Sequence, residues 1–308
     1  MSEPLVIIGN GMAATRLVEE LGRQALGRYA IAVIGDEPQL AYNRVLLSSV
    51  LAQEVSRADV ELRSAAWWRN RGVTLLYGQR AVAIDPDIRR VKLASGATLP
   101  FTKLVLATGS RAVRPRVPGI DLPGVMTFRD LGDVASIEAA AVPGSRAVVI
   151  GGGLLGLEAA YGLAKAGVAV SVVHLMDRLM ERQLDVRAAG MLKGVLEAKG
   201  IAVHLNAETD RIAGAQRAEG VVLKDARTLP AELVVVAVGI APNVSLAQSA
   251  GLNVDRGIVV DDKLQTSRTN IRDRRMRRAS RYLLWAGGAG VRAGQGSCSP
   301  FLRRGCGL

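Results

Sequence analysis

Two glycine-rich segments carry the residue types and spacing best suited to chemistry in this sequence. The first is Gly9-Asn10-Gly11-Met12-Ala13-Ala14, and the second is Gly151-Gly152-Gly153-Leu154-Leu155-Gly156. In such a segment the first glycine permits a tight turn, the second lets a pyrophosphate approach the backbone, and the small last residue allows close packing of helix on strand. Both segments are therefore predicted to hold the phosphates of a dinucleotide at the start of a helix.

The residue at the end of the following strand would contact the ribose of each dinucleotide. Glu37 follows Ile34-Gly35, where its carboxylate can accept a hydrogen bond from a ribose 2′-OH. In the second half His174 stands at this point instead of an acid, so the sequence leaves the choice between NADH and NADPH open. Arg178 has two interpretations, a partner for a 2′-phosphate or a solvated surface arginine, and we favour the second.

The elements that must position these residues follow a strand–helix–strand pattern that occurs twice. Each glycine-rich segment comes directly after a short apolar run, opens an amphipathic helix, and is followed by a second apolar run. The predicted elements are residues 5–8, 12–23 and 30–34 in the first half, and 147–150, 154–166 and 168–173 in the second. The predicted fold class is α/β, with two nested Rossmann-like three-layer domains.

Charge is unevenly distributed along the chain. The formal net charge is +12, but residues 272–308 contain nine arginines and a single acid, which leaves residues 1–271 with a net charge of +4. This basic tail contains three aromatic residues and no nucleic-acid-binding signature. We therefore predict a disordered tail and no nucleic-acid partner.

Cysteine content and hydropathy argue against cysteine-based metal or disulfide sites and against membrane spans. Both cysteines, Cys298 and Cys306, lie in the tail, so no cysteine metal site or disulfide is possible in residues 1–271, and no metal site is predicted. No apolar run approaches the ~20 residues that cross a bilayer. The N-terminal residues lack the pattern of a secretory signal. The predicted location is cytoplasmic, with no membrane partner.

Two further motifs, together with the glycine-rich segments, make the sequence resemble a known family. Ala107-Thr108-Gly109 ends a predicted strand, and Ala237-Val238-Gly239-Ile240-Ala241-Pro242-Asn243 follows another. In this combination, residues 4–271 resemble the FAD-dependent pyridine-nucleotide oxidoreductases. Residues 41–48 and 173–185 resemble, more narrowly, the N-terminal flavoprotein portion of assimilatory NAD(P)H nitrite reductase large subunits.

The resemblance implies two cofactors, FAD and NAD(P)H, and a set of residues that bind them. It assigns the ADP half of FAD to Gly9, Gly11, Ala14 and Glu37, the flavin side to Arg44 and the turn Thr108-Gly109, and NAD(P)H to Gly151, Gly153 and Gly156, with Glu158 near the nicotinamide. The remaining residues of the predicted cofactor sites are Met12, Ala13, Ser48, Val82, Ala107, Leu155, His174 and Gly239.

The implied activity is hydride transfer from the nicotinamide to the flavin, followed by release of single electrons to an acceptor protein or domain. The cofactors carry this chemistry, so no catalytic side chain is predicted. Because no cysteine occurs near Met12 or Arg44, electrons are expected to leave directly from the flavin. The expected acceptor belongs to a nitrite or nitrate reductase, and rubredoxin or ferredoxin is the alternative.

The resemblance ends near residue 271. The predicted domains are 1–113 with 240–271 for FAD, 114–239 for NAD(P)H, and 272–308 as an aberrant tail. Where the family continues with a strand and a Gly-Asp or Gly-Glu pair, this chain has Arg272-Asp273-Arg274-Arg275. Our hypothesis is a reading-frame shift that leaves the FAD domain incomplete at the C-terminus, without its last strand. An inactive or merely nucleotide-binding product is therefore the competing function.

Overall fold

The computed structural model of the chain describes residues 2–25, 27–266 and the backbone of 282–284. The described residues divide into two compact units. The first comprises the described residues within Met1–Asn43, Glu61–Ser110 and Ala241–Leu308, and the second comprises Arg44–Val60 and Arg111–Ile240. The proposed frameshift and most of the basic tail lie outside the described residues.

Strands and helices alternate around each glycine-rich segment, and runs of consecutive strands separate these alternating stretches. The strands are β1 (Glu3–Ile8), β2 (Tyr29–Gly35), β3 (Thr74–Tyr77), β4 (Ala81–Asp85), β5 (Arg90–Leu93), β6 (Thr98–Pro100), β7 (Lys103–Leu106), β8 (Ser110–Ala112), β9 (Val125–Thr127), β10 (Arg146–Ile150), β11 (Ala169–Val173), β12 (Ala202–His204), β13 (Thr209–Ala213), β14 (Gly220–Leu223), β15 (Thr228–Pro230), β16 (Leu233–Val236), β17 (Ile240–Pro242), β18 (Gln265–Thr266) and β19 (Tyr282–Leu284). The α-helices are α1 (Met12–Gln24), α2 (Leu47–Leu51), α3 (Ala65–Arg69), α4 (Leu131–Ala140), α5 (Leu154–Lys165), α6 (Val186–Ala198) and α7 (Ser245–Ser249), and a 3₁₀ turn covers Arg44–Leu46.

The first unit is built on a sheet with the strand order β18-β19-β7-β1-β2-β3. Strands β1, β2, β3 and β7 are parallel, as expected for strands joined by helical crossovers. Alternate residues of β1 serve two different cores: Leu5 and Ile7 pack with α1, whereas Val6 and Ile8 pack with the antiparallel sheet β4-β5-β6. The unit therefore has the predicted three layers.

The second unit repeats this plan. Its parallel sheet has the order β12-β11-β10-β16-β9, and an antiparallel sheet, β13-β14-β15, covers one face. Val148 and Ile150 of β10 pack against Ile212 and Val221 of that antiparallel sheet. Because both faces of the central strands are buried, these strands are continuous apolar runs. The predicted α/β class with two Rossmann-like halves is confirmed.

The structure differs from the sequence prediction in two places. Residues 44–60, predicted within the FAD domain, lie in the second unit. In addition, β19 pairs in parallel with β7, Leu283 opposite Val105, at the edge that we expected to lack its last strand. The strand comes from the apolar run Tyr282-Leu283-Leu284-Trp285, which the prediction of a disordered tail overlooked.

Candidate functional site

The first glycine turn joins β1 to α1 at the carboxyl end of the sheet. Gly9 has φ +119°, a region that favours glycine, and its N–H donates to the Ile34 carbonyl at 2.7 Å. A Cβ at Gly9 would lie 2.0 Å from the carbonyl oxygen of Ala107, which directly follows the neighbouring strand β7. The turn is therefore possible only with glycine, because the backbone of the next strand fills the place of a side chain.

The second glycine of this turn has no such internal constraint. Gly11 is the N-cap of α1 with φ −127°, and a Cβ built there would meet nothing within 4 Å. No side chain caps the helix, and its first turn, which includes Met12 and Ala13, carries no acid. The N–H groups in the first turn of a helix have no acceptor within the helix, so the open space beside Gly11 suits an anion. Ala14, by contrast, is fully buried in the core beneath the turn.

The end of β2 places polar groups around the same turn. Glu37 is half-buried, and its Oε2 accepts a hydrogen bond of 2.6 Å from the Tyr42 hydroxyl. Asn10 donates through Nδ2 to the Gln39 carbonyl at 3.3 Å, while its Oδ1 is buried without a hydrogen-bond partner. A buried acceptor that lacks a donor, next to an uncapped helix, fits a bound polar group.

The turn Thr108-Gly109 is fixed by a residue to which the sequence analysis gave no role. Asn243 donates through Nδ2 to the Thr108 carbonyl at 2.8 Å, and its N–H donates to the Gly109 carbonyl at 3.0 Å. The Thr108 hydroxyl donates in return to the Asn243 carbonyl at 2.9 Å. Asn243 is the last residue of the family motif at residues 237–243, and this motif was the sequence feature that could have indicated its role. Val82, another predicted cofactor-site residue, lies on β4 and is 44% exposed.

The second glycine turn repeats this construction between β10 and α5. Gly151 has φ +126°, and a Cβ there would lie 2.4 Å from the Ala237 carbonyl oxygen, while one at Gly156 would lie 2.1 Å from the Gly151 carbonyl oxygen. A Cβ at Gly153, the N-cap of α5, would meet nothing within 4 Å. No side chain caps α5, whose first turn includes Leu155, one of the predicted cofactor-site residues.

Of the four α-helices of ten or more residues in the described part of the chain, α1 and α5 lack a side-chain cap, and the other two have one. In the second unit, α4 and α6 are capped by Asp130 and Asp185, which accept hydrogen bonds from first-turn N–H groups. The helices α1 and α5 have glycine at the same position. An aspartate there would satisfy the helix but would repel a phosphate. The two helices preceded by the glycine turns are therefore open to an anion.

A carboxylate and a hydroxyl meet within the second unit. Glu158 on α5 is half-buried and accepts a hydrogen bond from the Ser48 hydroxyl. Burial raises the pKa of Glu158, and the Ser48 hydrogen bond partly offsets this effect.

Arg44, at the start of the segment that contains Ser48, donates to the Arg129 carbonyl at 3.1 Å. Gly239 accepts from the Val113 N–H at 2.9 Å.

His174 follows β11, as predicted, but its side chain points to protein groups. Its Nδ1 accepts a hydrogen bond from the Gly152 N–H at 3.1 Å, and its Nε2 lies 3.1 Å from Oε2 of Glu181. Arg178 contacts the Asp177 carboxylate at 3.1 Å and the Glu181 carbonyl at 3.4 Å. Glu181 was not among the predicted site residues, because no spacing rule places it at the end of this strand.

The described residues also bear on membrane crossing and on metal binding. Within the ranges that the structure describes, no helix combines the length and apolar character that a bilayer crossing requires. In the same ranges, no group of three or more His, Cys, Asp or Glu side chains is arranged to hold a metal ion.

Comparison with known proteins identifies the family. Residues 3–271 match the family model described as pyridine nucleotide-disulphide oxidoreductase. The chain is 43% identical over 267 residues to the assimilatory nitrate reductase electron transfer subunit of Bacillus subtilis (strain 168), covering 87% of this chain and 35% of that protein. It is 42% identical over 262 residues to nitrite reductase [NAD(P)H] of the same organism, covering 85% and 32%.

A solved structure gives the same result for the fold. The ferredoxin reductase for the CYP199A2 system from Rhodopseudomonas palustris is 32% identical, with a TM-score of 0.82 over 92% of this chain and 67% of that chain. The chain spans about a third of the length of the two Bacillus relatives.

Proposed function

The chain belongs to the pyridine nucleotide-disulphide oxidoreductase family, whose members bind FAD and NAD(P)H, and we propose that it carries electrons from NAD(P)H through FAD to an acceptor protein or domain. The observation that carries this proposal is the pair of uncapped helices, α1 and α5. Each is preceded by a glycine, Gly11 or Gly153, whose missing side chain leaves open space rather than avoiding a clash.

The two units would hold the two cofactors. In the first unit, Gly9, Gly11 and the start of α1 would hold the FAD pyrophosphate, and Glu37 would accept from its ribose. In the second unit, Gly151, Gly153 and the start of α5 would hold the pyrophosphate of NAD(P)H. FAD, when bound, supplies an acceptor for hydride and a donor of single electrons.

On this proposal the side chains orient the cofactors and exclude water, and the cofactors themselves carry the reaction. Glu158 and Ser48 are proposed to lie on the nicotinamide side of the second site, where a half-buried carboxylate and a hydroxyl can orient the carboxamide by hydrogen bonds. Thr108 and Asn243 would keep the flavin-side turn rigid through their reciprocal hydrogen bonds. Residues 1–271 contain no cysteine, so the proposal routes no electrons through a disulfide there.

The proposed acceptor is a nitrite or nitrate reductase component, which follows the names of the two Bacillus relatives. The second candidate is a ferredoxin-type protein, favoured by the fold similarity to the Rhodopseudomonas ferredoxin reductase. The cytoplasmic location stays a prediction, consistent with either acceptor.

The visible spectrum of the purified full-length chain tests the proposal. The protein, incubated with FAD and desalted, is expected to show flavin absorption that bleaches when NADH or NADPH is added without oxygen. Addition of oxidised ferredoxin, or of a nitrite reductase component, should restore the absorption and identify the acceptor. Gly11→Ala, which alters no internal packing, should abolish flavin retention.

A matched variant separates loss of binding from loss of folding. Gly96→Ala places a methyl group in an equally open turn, away from the glycine-rich segment, and Gly96 has φ +88°, so a small loss of stability is expected without loss of flavin. Failure of the wild-type chain to take up FAD under any condition would contradict the proposal and would favour a product that binds nucleotide only.

A further inference from the structure

We propose that Glu181 supplies the acid that β11 lacks at its end and that it makes the second site selective for NADH over NADPH. This inference rests on the proposed function, since it names the cofactor of the same site. It concerns a side chain eight residues beyond Val173, the last residue of β11, and the fingerprint spacing does not predict an acid at that position.

His174 brings Glu181 to the strand end. Because Nδ1 of His174 accepts the Gly152 N–H, the ring proton lies on Nε2, which donates to Oε2 of Glu181 at 3.1 Å. The carboxylate is thereby fixed next to the residue that follows Val173, the last of β11. In a dinucleotide fold this is where an acid accepts the ribose 2′-OH.

The segment before Glu181 is anchored independently on the glycine turn. The Met180 N–H donates to the Gly152 carbonyl at 3.0 Å, with φ +49° at Met180. Leu179 is fully buried, and its Cδ2 would lie 2.8 Å from a Cβ at Gly152. Glu181 therefore has a defined position, and its side chain keeps 24% exposure, which leaves it accessible to a ligand.

The neighbouring arginines form ion pairs with acidic side chains. The Arg178 guanidinium is paired with Asp177 and with the Glu181 carbonyl, and it is only partly exposed. Arg182 is 87% exposed, with its Nε 3.9 Å from Oε1 of Glu181. A 2′-phosphate carries about −1.5 to −2 charges at pH 7, so it would have to displace these pairs and approach a fixed carboxylate.

Direct binding measurements on the full-length chain test the inference. Dissociation constants for NADH and NADPH are measured by calorimetry for the wild type, Glu181→Gln and Glu197→Gln. Glutamine keeps an oxygen to accept from His174 but removes the charge. Glu197, in an exposed pair with Lys193 on α6, is the matched control.

The wild type is expected to bind NADH about tenfold or more tightly than NADPH, the usual value of a hydrogen bond to a charged group. Glu181→Gln should reduce this preference about tenfold, whereas Glu197→Gln should leave it unchanged. A wild type that prefers NADPH, or a Glu181→Gln protein with an unchanged ratio, would overturn the inference while leaving the reductase proposal intact.

Arg178→Ala provides a second, independent variant. We expect it to leave the NADH-to-NADPH ratio unchanged, and a selective loss of NADPH binding would show that Arg178 reads a 2′-phosphate and that the inference is wrong. If the wild type binds neither nucleotide, the proposed function itself fails. Unfolding temperatures without ligand, measured for every variant, identify any change that comes from loss of structure.

Discussion

Two alanine substitutions in the second glycine turn should have opposite effects on binding and stability. At Gly153 a methyl group would enter open space, and the backbone there has φ −81° and ψ 173°, which any residue can adopt. At Gly156 the methyl group would lie 2.1 Å from the Gly151 carbonyl oxygen and 3.4 Å from the Ala237 side chain. The two positions are three residues apart on one helix end.

The magnitudes follow from these distances. Forcing a methyl group into packed structure costs about 1–3 kcal/mol, and the upper end applies to Gly156 because its neighbour is backbone. Replacing a helical glycine by alanine returns about 1 kcal/mol. We therefore expect Gly156→Ala to lose about 2 kcal/mol, or roughly 4–8 °C in Tm. Gly153→Ala should stay within about 0.5 kcal/mol of the wild type.

The assay combines unfolding with nucleotide binding. Gly153→Ala is expected to lose at least about tenfold in NADH affinity, since its methyl group occupies the place where the pyrophosphate meets the backbone. Calorimetric titration at a temperature where both variants are folded separates the two effects. The reasoning would be refuted if Gly153→Ala bound NADH as the wild type does, or if it lost as much stability as Gly156→Ala.

Three further predictions concern pH. Arg146 lowers the pKa of Glu232 to about 2, so Glu232→Gln should lose less than about 1 kcal/mol of stability at pH 7, and the difference should vanish as the pH falls from 4.5 toward 2 in urea titrations. Burial, followed by the charge of Arg227, lowers the pKa of His204. Wild-type stability should therefore fall as the pH drops below 6.5, and His204→Gln should remove that part of the slope in denaturation curves. Burial raises the pKa of Glu158, an effect that the Ser48 hydrogen bond partly offsets, so its charged form is disfavoured in the native state; Glu158→Gln should therefore raise the Tm at pH 8 and leave it unchanged at pH 4.

The sheets could be predicted because their strands are short apolar runs next to diagnostic turns. Residues 5–8 and 147–150 each precede a glycine-rich segment, and the helices that follow begin at Met12 and Leu154, as expected. Local sequence decides such features: buried parallel strands need apolar residues on both faces, and the turn needs glycine where the next strand comes close.

The remaining features depend on contacts between residues distant in sequence. Asn243 contacts Thr108 across 135 positions, and Arg44 contacts the carbonyl of Arg129 across 85. No periodicity encodes such pairs. The assignment of residues 44–60 to the second unit has the same cause, because α2 packs on α5 through Leu51, which lies against Gly162. Only the folded chain shows that this segment joins the second half.

The two halves show how one chemical requirement can be met from different sequence positions. In the first, Glu37 lies two residues beyond β2, and the Tyr42 hydroxyl holds it. In the second, an imidazole occupies the strand end, and its Nε2 holds Glu181 from a later segment. A ribose-binding carboxylate is thus fixed by one hydrogen-bond donor in each half, on our proposal. Counting residues from the strand finds the first acid and misses the second, so an absent acid at the expected spacing is weak evidence for NADPH.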